Sequence, residues 1–221
     1  VALDAMRKTR ARRVVRYHNV TPPEFFVDWS PGYVAACEAG RAQLDDFAKL
    51  HCELYLGDSP YNVEDFTARG VDPRRCEVLP PFHEIGGLLA VAPDARRIPR
   101  EAPLLLSVGR IAPNKGYLEL VDAVAACRAD ERTADAHLLI IGKLDPNLSR
   151  YGDAVLERIE RLGLAGHVTI LQDAGAAELV GAFGQATAMV MLSRHEGFCV
   201  PLVEAMALGT PVVALASSAM P

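Results

Sequence analysis

Two glutamates eight positions apart, Glu196 and Glu204, are the first side chains whose types and spacing point to chemistry. The run 189–192 before them and the run 212–215 after them are short and apolar, which is typical of buried parallel strands. We therefore expect Glu196 in a loop at the carboxyl end of a strand, where open α/β sheets bind ligands. Glu204 is expected in the first turn of the helix that follows.

Proline and glycine mark the two ends of that helix. Pro201 suits the first helical position, where its missing N–H costs nothing, and Gly209 suits the residue just past the last turn. Pro211 prevents any continuation, so the predicted helix spans 201–208.

The residues just before this helix can form a ligand site. The backbone N–H groups of Gly197, Phe198 and Cys199, together with the positive end of the helix, can hold an anion or a cluster of hydroxyls. A carboxylate at Glu196 would then accept hydrogen bonds from a polyhydroxylated ligand such as a sugar. A solvated helix start, with a glutamate favoured by the helix dipole, is the simpler alternative.

A second charged group lies in the loop 109–116, where Arg110 and Lys115 flank a turn after the apolar run 104–108. Both cations are predicted at the carboxyl end of a strand and close to a helix start, so they can reach the same ligand as Glu196. Arginine offers a planar guanidinium with several N–H donors and lysine offers a compact ammonium charge. Together they can neutralise a diphosphate leaving group. Two surface cations in an ordinary loop are the alternative.

The elements that must position these residues alternate regularly from residue 104 onwards. Short apolar strands that alternate with helices predict an α/β fold, in which a parallel sheet with right-handed crossovers carries helices on both faces. The predicted strands are 104–108, 137–141, 168–171, 189–192 and 212–215, and the predicted helices are 117–128, 153–162, 177–183 and 201–208.

The earlier part of the chain predicts a second, smaller α/β unit. Its expected strands are 14–17, 53–57 and 76–79, and its expected helices are 33–50 and 61–69. The stretch 83–103 contains several prolines and a Gly-Gly pair, which favours a linker between domains covering 1–82 and 104–221. Both ends of the sequence look cut, so we expect part of the first domain and the last elements of the second to be missing.

Composition narrows the class of protein. The net charge of −5 argues against binding to nucleic acid as a main activity, because such binding depends on neutralising phosphates. No apolar run approaches the roughly 20 residues that span a bilayer. The five cysteines are scattered and never spaced as Cys-x-x-Cys, which favours reduced thiols in a cytoplasmic protein over disulfides or a zinc site.

A basic cluster at 7–13 could attract anionic lipid headgroups, or it could simply be a solvated helix end.

The string from Glu196 to Pro211 resembles the two-glutamate signature of retaining glycosyltransferases of the GT-B fold, in particular family 4. The Gly-Arg…Lys-Gly element at 109–116 resembles a second motif of the same family, in the same order along the chain. The resemblance implies two Rossmann-like domains with a cleft between them. It also implies transfer of a sugar, with retention of configuration, from a nucleoside-diphosphate sugar to a carbohydrate or lipid-linked acceptor, and hence a role in polysaccharide or glycolipid assembly.

The resemblance also assigns roles to individual residues. It implies that Glu196 contacts the donor sugar, that Glu204 holds the ribose, and that Arg110 and Lys115 grip the diphosphate. His18, at the end of the strand 14–17, matches a histidine that faces the cleft near the transferred sugar. The remaining positions expected to contact the donor are Gly109, Gly142, Gly197, Phe198, Cys199 and Val200.

Two positions depart from the family pattern, since Gln172 and Cys199 stand where glycine is commoner. No Asp-x-Asp motif occurs, and the cations and the helix start can replace a metal, so we expect neither a cofactor nor a catalytic metal. Two alternatives stay open: a GT-B-related nucleotide-sugar epimerase, and a catalytically silent subunit or fragment that binds sugar nucleotides. Peripheral contact with the inner face of the membrane also stays open.

Overall fold

The computed structural model describes residues 2–81, 85–100 and 103–220, which form two compact units. The first unit comprises Val1–Phe82, His195–Phe198 and Ser217–Pro221, and the second comprises His83–Arg194 and Cys199–Ala216. Each unit contains one parallel sheet. In the described part of the chain, no helix combines the length and the apolar character that crossing a membrane requires.

The first unit is a three-stranded sheet with the strands in chain order. Its strands are β1 (Val14–Tyr17), β2 (Leu54–Gly57) and β3 (Cys76–Val78), and its helices are α1 (Ala2–Lys8), α2 (Pro31–Ala48) and α3 (Pro60–Thr67). Tyr55 and Phe66 lie at the centre of the buried cluster between the sheet and the helices. Because the strands are parallel, the residues that follow them meet at one edge of the sheet.

Serine side chains fix where the two longer helices begin. The hydroxyl of Ser30 accepts a hydrogen bond from the backbone N–H of Tyr33, and Ser59 does the same for Asn62. A proline occupies the first helical position after each serine. The helices therefore begin one or two residues before the positions that apolar spacing predicts.

Some of the basic residues near the amino end of the first unit have acidic partners on its surface. Arg7 forms an ion pair with Asp46 at 2.9 Å, and Arg12 forms one with Glu53. These contacts favour the interpretation of the cluster as a solvated surface. Contact with a membrane stays a prediction, which flotation with anionic liposomes tests.

The second unit is a five-stranded parallel sheet with the order β6-β5-β4-β7-β8. Its strands are β4 (Leu104–Val108), β5 (His137–Ile141), β6 (Val168–Leu171), β7 (Ala188–Met191) and β8 (Val212–Ala214). The chain builds the sheet outward from β4 to β6 and then returns to the other side of β4 with β7. The strand order therefore reverses between β4 and β7, which makes this the switch point where such sheets bind ligands.

The described residues of the second unit form five helices: α4 (Ile85–Leu89), α5 (Tyr117–Arg128), α6 (Ser149–Arg161), α7 (Ala176–Gln185) and α8 (Val200–Ala207). The predicted alternation of strands and helices is thus observed, with shifts of a few residues at some ends. The largest shift is in α6, which begins four residues before its predicted start because Asp145 caps a turn that leads directly into it.

The helix α8 corrects one expectation about Glu204. Val200 is the first helical residue and Pro201 the second, so Glu204 lies in the second turn and not in the first. The helix dipole acts mainly on the first turn, so it does not explain a glutamate at this position. The end of the helix is as predicted: Gly209 has a φ of 74°, and the N–H groups of Gly209 and Thr210 return to the last turn.

The stretch that the sequence marks as a linker contacts the second unit. The N–H of Asp94 donates to the carbonyl oxygen of Ala177 at 2.8 Å, and Ile98 is 4% exposed. The boundary at residue 82 and the end of the stretch near 101–102 lie outside the described residues. Its role as a hinge stays a prediction.

Candidate functional site

The loops after β4 and β5 approach each other so closely that both need glycine. The N–H of Gly109 donates to the carbonyl oxygen of Ile141 at 2.9 Å, and Gly109 has a φ of 148°. A side chain on Gly142 would collide with the carbonyl oxygen of Gly109. Tyr117 fixes that carbonyl by donating its hydroxyl at 2.7 Å. Both glycines therefore have a structural reason that is independent of any ligand.

Arg110 extends from this junction and forms an ion pair with Asp145. Its Nη1 lies 3.0 Å from Oδ2 of Asp145, whose side chain is 12% exposed. Asp145 also caps the turn Pro146–Leu148 by accepting from the N–H of Asn147. Asp145 was not predicted as a site residue, because its Asp-Pro-Asn turn signal does not reveal the pairing with Arg110.

Gln172, where the family resemblance predicts glycine, supports the same loop. Its side-chain oxygen accepts a hydrogen bond from the N–H of Leu144 at 3.1 Å. The carbonyl oxygen of Lys143 accepts from the N–H of Ile111 at 3.0 Å. These bonds hold the loop that carries Asp145 against the loop that carries Arg110.

Lys115 lies in a turn that is joined to the loop after β7. Gly116, with a φ of 71°, lies against the backbone carbonyl of Leu192 and has no room for a side chain. The N–H of Arg194 donates to the carbonyl oxygen of Asn114 at 2.8 Å. The loop with Lys115 and the start of the loop that leads to Glu196 are thus fixed side by side at the switch point.

Glu196 and its neighbours belong to the first unit. Glu196 is 7% exposed, and its backbone N–H donates to the hydroxyl of Ser218 at 2.7 Å. Gly197 lies against His18 and Asn19, because a Cβ on Gly197 would be 2.8 Å from Cβ of Asn19 and 3.1 Å from the carbonyl oxygen of His18. Glu196, Gly197 and His18 are therefore brought close together within one unit, while Phe198 is half-buried beside them.

His195 fixes this segment through both ring nitrogens. Its Nε2 lies 2.7 Å from Oδ1 of Asn19, and its Nδ1 lies 3.4 Å from the hydroxyl of Tyr61. Because the Asn19 amide group donates to Asn62, its oxygen faces His195 and requires the proton on Nε2. Burial, reinforced by the charge of Arg41, lowers the pKa of His195. Sequence spacing alone gave no role to His195.

His18 follows β1 and contacts a buried carboxylate. Its Nδ1 lies 2.9 Å from Oδ2 of Asp58, whose side chain is 7% exposed, while the His18 side chain is 63% exposed. The register pairs Tyr17 with Gly57, so the next residue of each strand, His18 and Asp58, stand side by side. Asp58 was not predicted from the sequence, where it only precedes the Ser-Pro pair at the start of α3.

Cys199 is the residue before the first turn of α8, and its backbone is left-handed, with a φ of 73° and a ψ of 69°. This conformation explains why glycine is expected at the position, since glycine adopts it without steric cost. Cys199 is 6% exposed, whereas Val200 and Glu204 are half-buried. Residues 199 and 200 and Glu204 belong to the second unit, as do Gly109, Arg110, Lys115 and Gly142. Among the described residues, no group of three or more His, Cys, Asp or Glu side chains could hold a metal ion.

Comparison with known proteins gives a family match. The model of the family described as "Glycosyl transferases group 1" matches residues 92–221. Mannosylfructose-phosphate synthase of Agrobacterium fabrum is 28% identical over 183 residues, which are 78% of this chain and 40% of that protein. D-inositol 3-phosphate glycosyltransferase of Actinosynnema mirum is 32% identical over 163 residues, which are 68% of this chain and 37% of that protein.

Solved structures share the fold. Alr3699/HepE of Anabaena in complex with UDP superposes with a TM-score of 0.76 at 22% identity, over 99% of this chain and 57% of that one. Sucrose-phosphate synthase of Thermosynechococcus elongatus gives a TM-score of 0.73 at 22% identity, over 98% and 53%. The predicted α/β fold of the GT-B class is therefore confirmed. The chain spans about two fifths of the length of these curated relatives and a little over half of these structures.

Proposed function

Because the chain belongs to the glycosyl transferases group 1 family, we propose that it takes part in moving a sugar from a nucleoside-diphosphate sugar to an acceptor hydroxyl, with the anomeric configuration retained. The observation that carries this proposal is the switch point between β4 and β7. There the turn with Lys115 is fixed beside the loop that leads to Glu196. Alr3699/HepE, which shares the fold, has been solved with UDP and glucose and with UDP-glucose, which supports a donor of this class.

In the proposed reaction, the main task is to stabilise the diphosphate as its bond to the sugar breaks. Arg110 and Lys115 supply positive charge for that leaving group, and the ion pair with Asp145 orients the guanidinium of Arg110. The N–H groups of Gly197, Phe198, Cys199 and Val200 complete the binding of phosphate and sugar. Since these groups provide the required charge, we propose that no metal or other cofactor is needed.

Carboxylates orient the rest of the donor. Glu196 accepts hydrogen bonds from the hydroxyls of the sugar, and Glu204 accepts them from the ribose. His18 contacts the transferred sugar. We propose a carbohydrate or a lipid-linked acceptor, and hence a role in polysaccharide or glycolipid assembly.

The first test is binding and turnover with the full-length protein. A thermal-shift panel of UDP-, GDP-, ADP- and dTDP-sugars identifies the base, and NMR of the product identifies its anomeric configuration. Transfer that continues in EDTA supports the metal-free mechanism, whereas loss in EDTA and recovery with Mn²⁺ contradicts it. Product release without an acceptor indicates an epimerase, and donor binding without turnover indicates a silent subunit.

Variants test the residues. Lys115→Ala and Glu196→Ala are each expected to lower kcat/KM by about 2–4 kcal/mol of transition-state stabilisation. Arg132→Ala is a matched control, because Arg132 is an exposed cation of the second unit that precedes the amino end of β5. Near-normal kcat/KM in the Lys115 or Glu196 variant would overturn the assignment of that residue.

A further inference from the structure

A chain of charged contacts links the carboxyl ends of the three strands in the first unit. Nη2 of Arg16 lies 3.3 Å from Oδ1 of Asp58, while Oδ2 of the same carboxylate lies 2.9 Å from Nδ1 of His18. Arg16 also donates to the carbonyl oxygens of Leu79 and Pro80, at 3.4 and 3.1 Å. Asp58 thus stands between a fixed cation and an imidazole ring.

The contact with Asp58 determines how a neutral His18 carries its proton. A neutral imidazole has one nitrogen that donates and one that accepts, and the hydrogen bond of one nitrogen sets the role of the other. An ionised carboxylate only accepts, so the Nδ1 atom that faces Asp58 must be the donor. Nε2 is then the acceptor, on a ring whose side chain is 63% exposed.

We propose that Asp58 is a positioning residue that holds His18 in the tautomer with the proton on Nδ1, so that Nε2 accepts a hydrogen bond from a hydroxyl of the transferred sugar. The proposal rests on the proposed transferase function for the identity of the ligand. It adds a restriction on the substrate, because an acceptor nitrogen pairs with a hydroxyl and not with a carboxylate. The sugar atom that His18 contacts therefore carries a hydroxyl, as in a neutral hexose, rather than the carboxylate of a uronic acid.

Arg16 holds the carboxylate of Asp58 in place beside the ring. Its guanidinium pairs with Oδ1, which leaves Oδ2 to accept from the Nδ1–H of a neutral His18. If Asp58 served only to stabilise the fold, its bond to Arg16 would be sufficient. The side chain of His18 is exposed, so its bond to Asp58 buries little surface, and the main effect of that bond is to orient the imidazole ring.

The tautomer can be measured directly without substrate. Long-range ¹H–¹⁵N spectra of protein labelled at histidine, at about pH 8.5 and so above the usual titration range of imidazole, distinguish the two ring nitrogens. His18→Gln identifies the His18 signals among those of the six histidines. We expect the proton on Nδ1 in the unmodified protein. A proton on Nε2 would overturn the proposal, whatever any variant does.

Asp58→Asn should reverse the tautomer. Because Arg16 donates to Oδ1, the amide nitrogen of the new side chain would face His18 and donate to Nδ1. The proton would then move to Nε2, which could no longer accept from the sugar. Asp65→Asn is the matched control, since Asp65 is a carboxylate of the same unit with a 17% exposed side chain that bonds Tyr17 and Arg69. It should leave the His18 spectrum unchanged.

The kinetic readout separates positioning from folding. In the full-length protein, Asp58→Asn should lower kcat by about 10- to 100-fold, as expected when a hydrogen bond to the sugar is lost. His18→Gln combined with Asp58→Asn should lower kcat little more than His18→Gln alone. A reversed tautomer with unchanged kcat would refute the proposal. If the unmodified protein transfers no sugar at all, the proposed function fails, whereas the tautomer measurement still decides whether Asp58 sets the proton on His18.

Discussion

The left-handed backbone at Cys199 makes a prediction with an unusual sign. At most positions alanine stabilises a folded protein relative to glycine, because glycine loses more conformational freedom on folding. Cys199 has a φ of 73°, where a side chain is strained by about 1–2 kcal/mol. At this position we therefore expect glycine to be more stable than alanine, by about 1 kcal/mol in the free energy of unfolding.

The size of each effect follows from the surroundings of Cys199. The side chain is 6% exposed, so its removal in Cys199→Ala loses about 1 kcal/mol of burial while the backbone strain remains. Cys199→Gly loses the Cβ as well as the thiol but relieves the strain of about 1–2 kcal/mol, so its stability should match that of the unmodified protein within about 0.5 kcal/mol. A difference of 1 kcal/mol corresponds to about 2–4 °C in Tm for a chain of this size.

Urea unfolding followed by circular dichroism measures the difference, and Met206 provides a matched control inside the helix that follows Cys199. Met206 is 64% exposed in α8, so Met206→Ala should be more stable than Met206→Gly by about 1 kcal/mol. The order of alanine and glycine is thus expected to reverse between positions 199 and 206. If alanine is at least as stable as glycine at 199, the strain argument is wrong.

Three further predictions test the loops around the candidate site. Gly142→Ala should destabilise the protein by about 1–3 kcal/mol and remove the thermal shift caused by the donor, because its Cβ would collide with the carbonyl oxygen of Gly109. Gly166→Ala is the control: position 166 faces open space, so this variant should change neither the stability nor the thermal shift. Asp145→Asn should raise the KM for donor several-fold while changing stability by less than about 1 kcal/mol, because it releases the partly exposed Arg110; an unchanged KM would contradict a role in orienting Arg110. Because burial lowers the pKa of His195, the unfolded state binds its proton more readily, so the stability that His195 contributes declines as the pH falls through about 6.5, the ordinary pKa of an unfolded histidine. The stability of the unmodified protein relative to His195→Gln should therefore fall between about pH 7.5 and 5.5 in urea titrations, and a constant difference would show that the protonation of His195 is not linked to folding.

The elements that the sequence predicted correctly are those with local signals. The end of α8 is one example, because Gly209 and Pro211 carry their conformational preferences with them wherever they occur. The alternating strands and helices of the second unit are another, since buried parallel strands appear as continuous apolar runs. The start of α8 was predicted one residue too late, because a proline is tolerated at either of the first two helical positions.

The contacts that the sequence could not reveal join residues far apart along the chain. His18 and Asp58 are 40 residues apart, and Arg110 and Asp145 are 35 apart. Each pair forms because two neighbouring parallel strands end at the same edge of the sheet, and the register that aligns them is a property of the whole sheet. Either aspartate alone looks like an ordinary residue at the start of a helix or turn.

Backbone strain in the described residues coincides with the contacts that hold the candidate site. Apart from glycines, Asn19, His51, Cys199 and Ser218 have positive φ. Asn19 accepts from Nε2 of His195, and the hydroxyl of Ser218 accepts from the N–H of Glu196. A glycine would relieve the strain at either position but would remove the side chain that makes the bond. Asparagine also tolerates the left-handed region better than most residues. The strain at Asn19 and Ser218 is therefore the cost of placing those two side chains where they can fix the segment that carries Glu196.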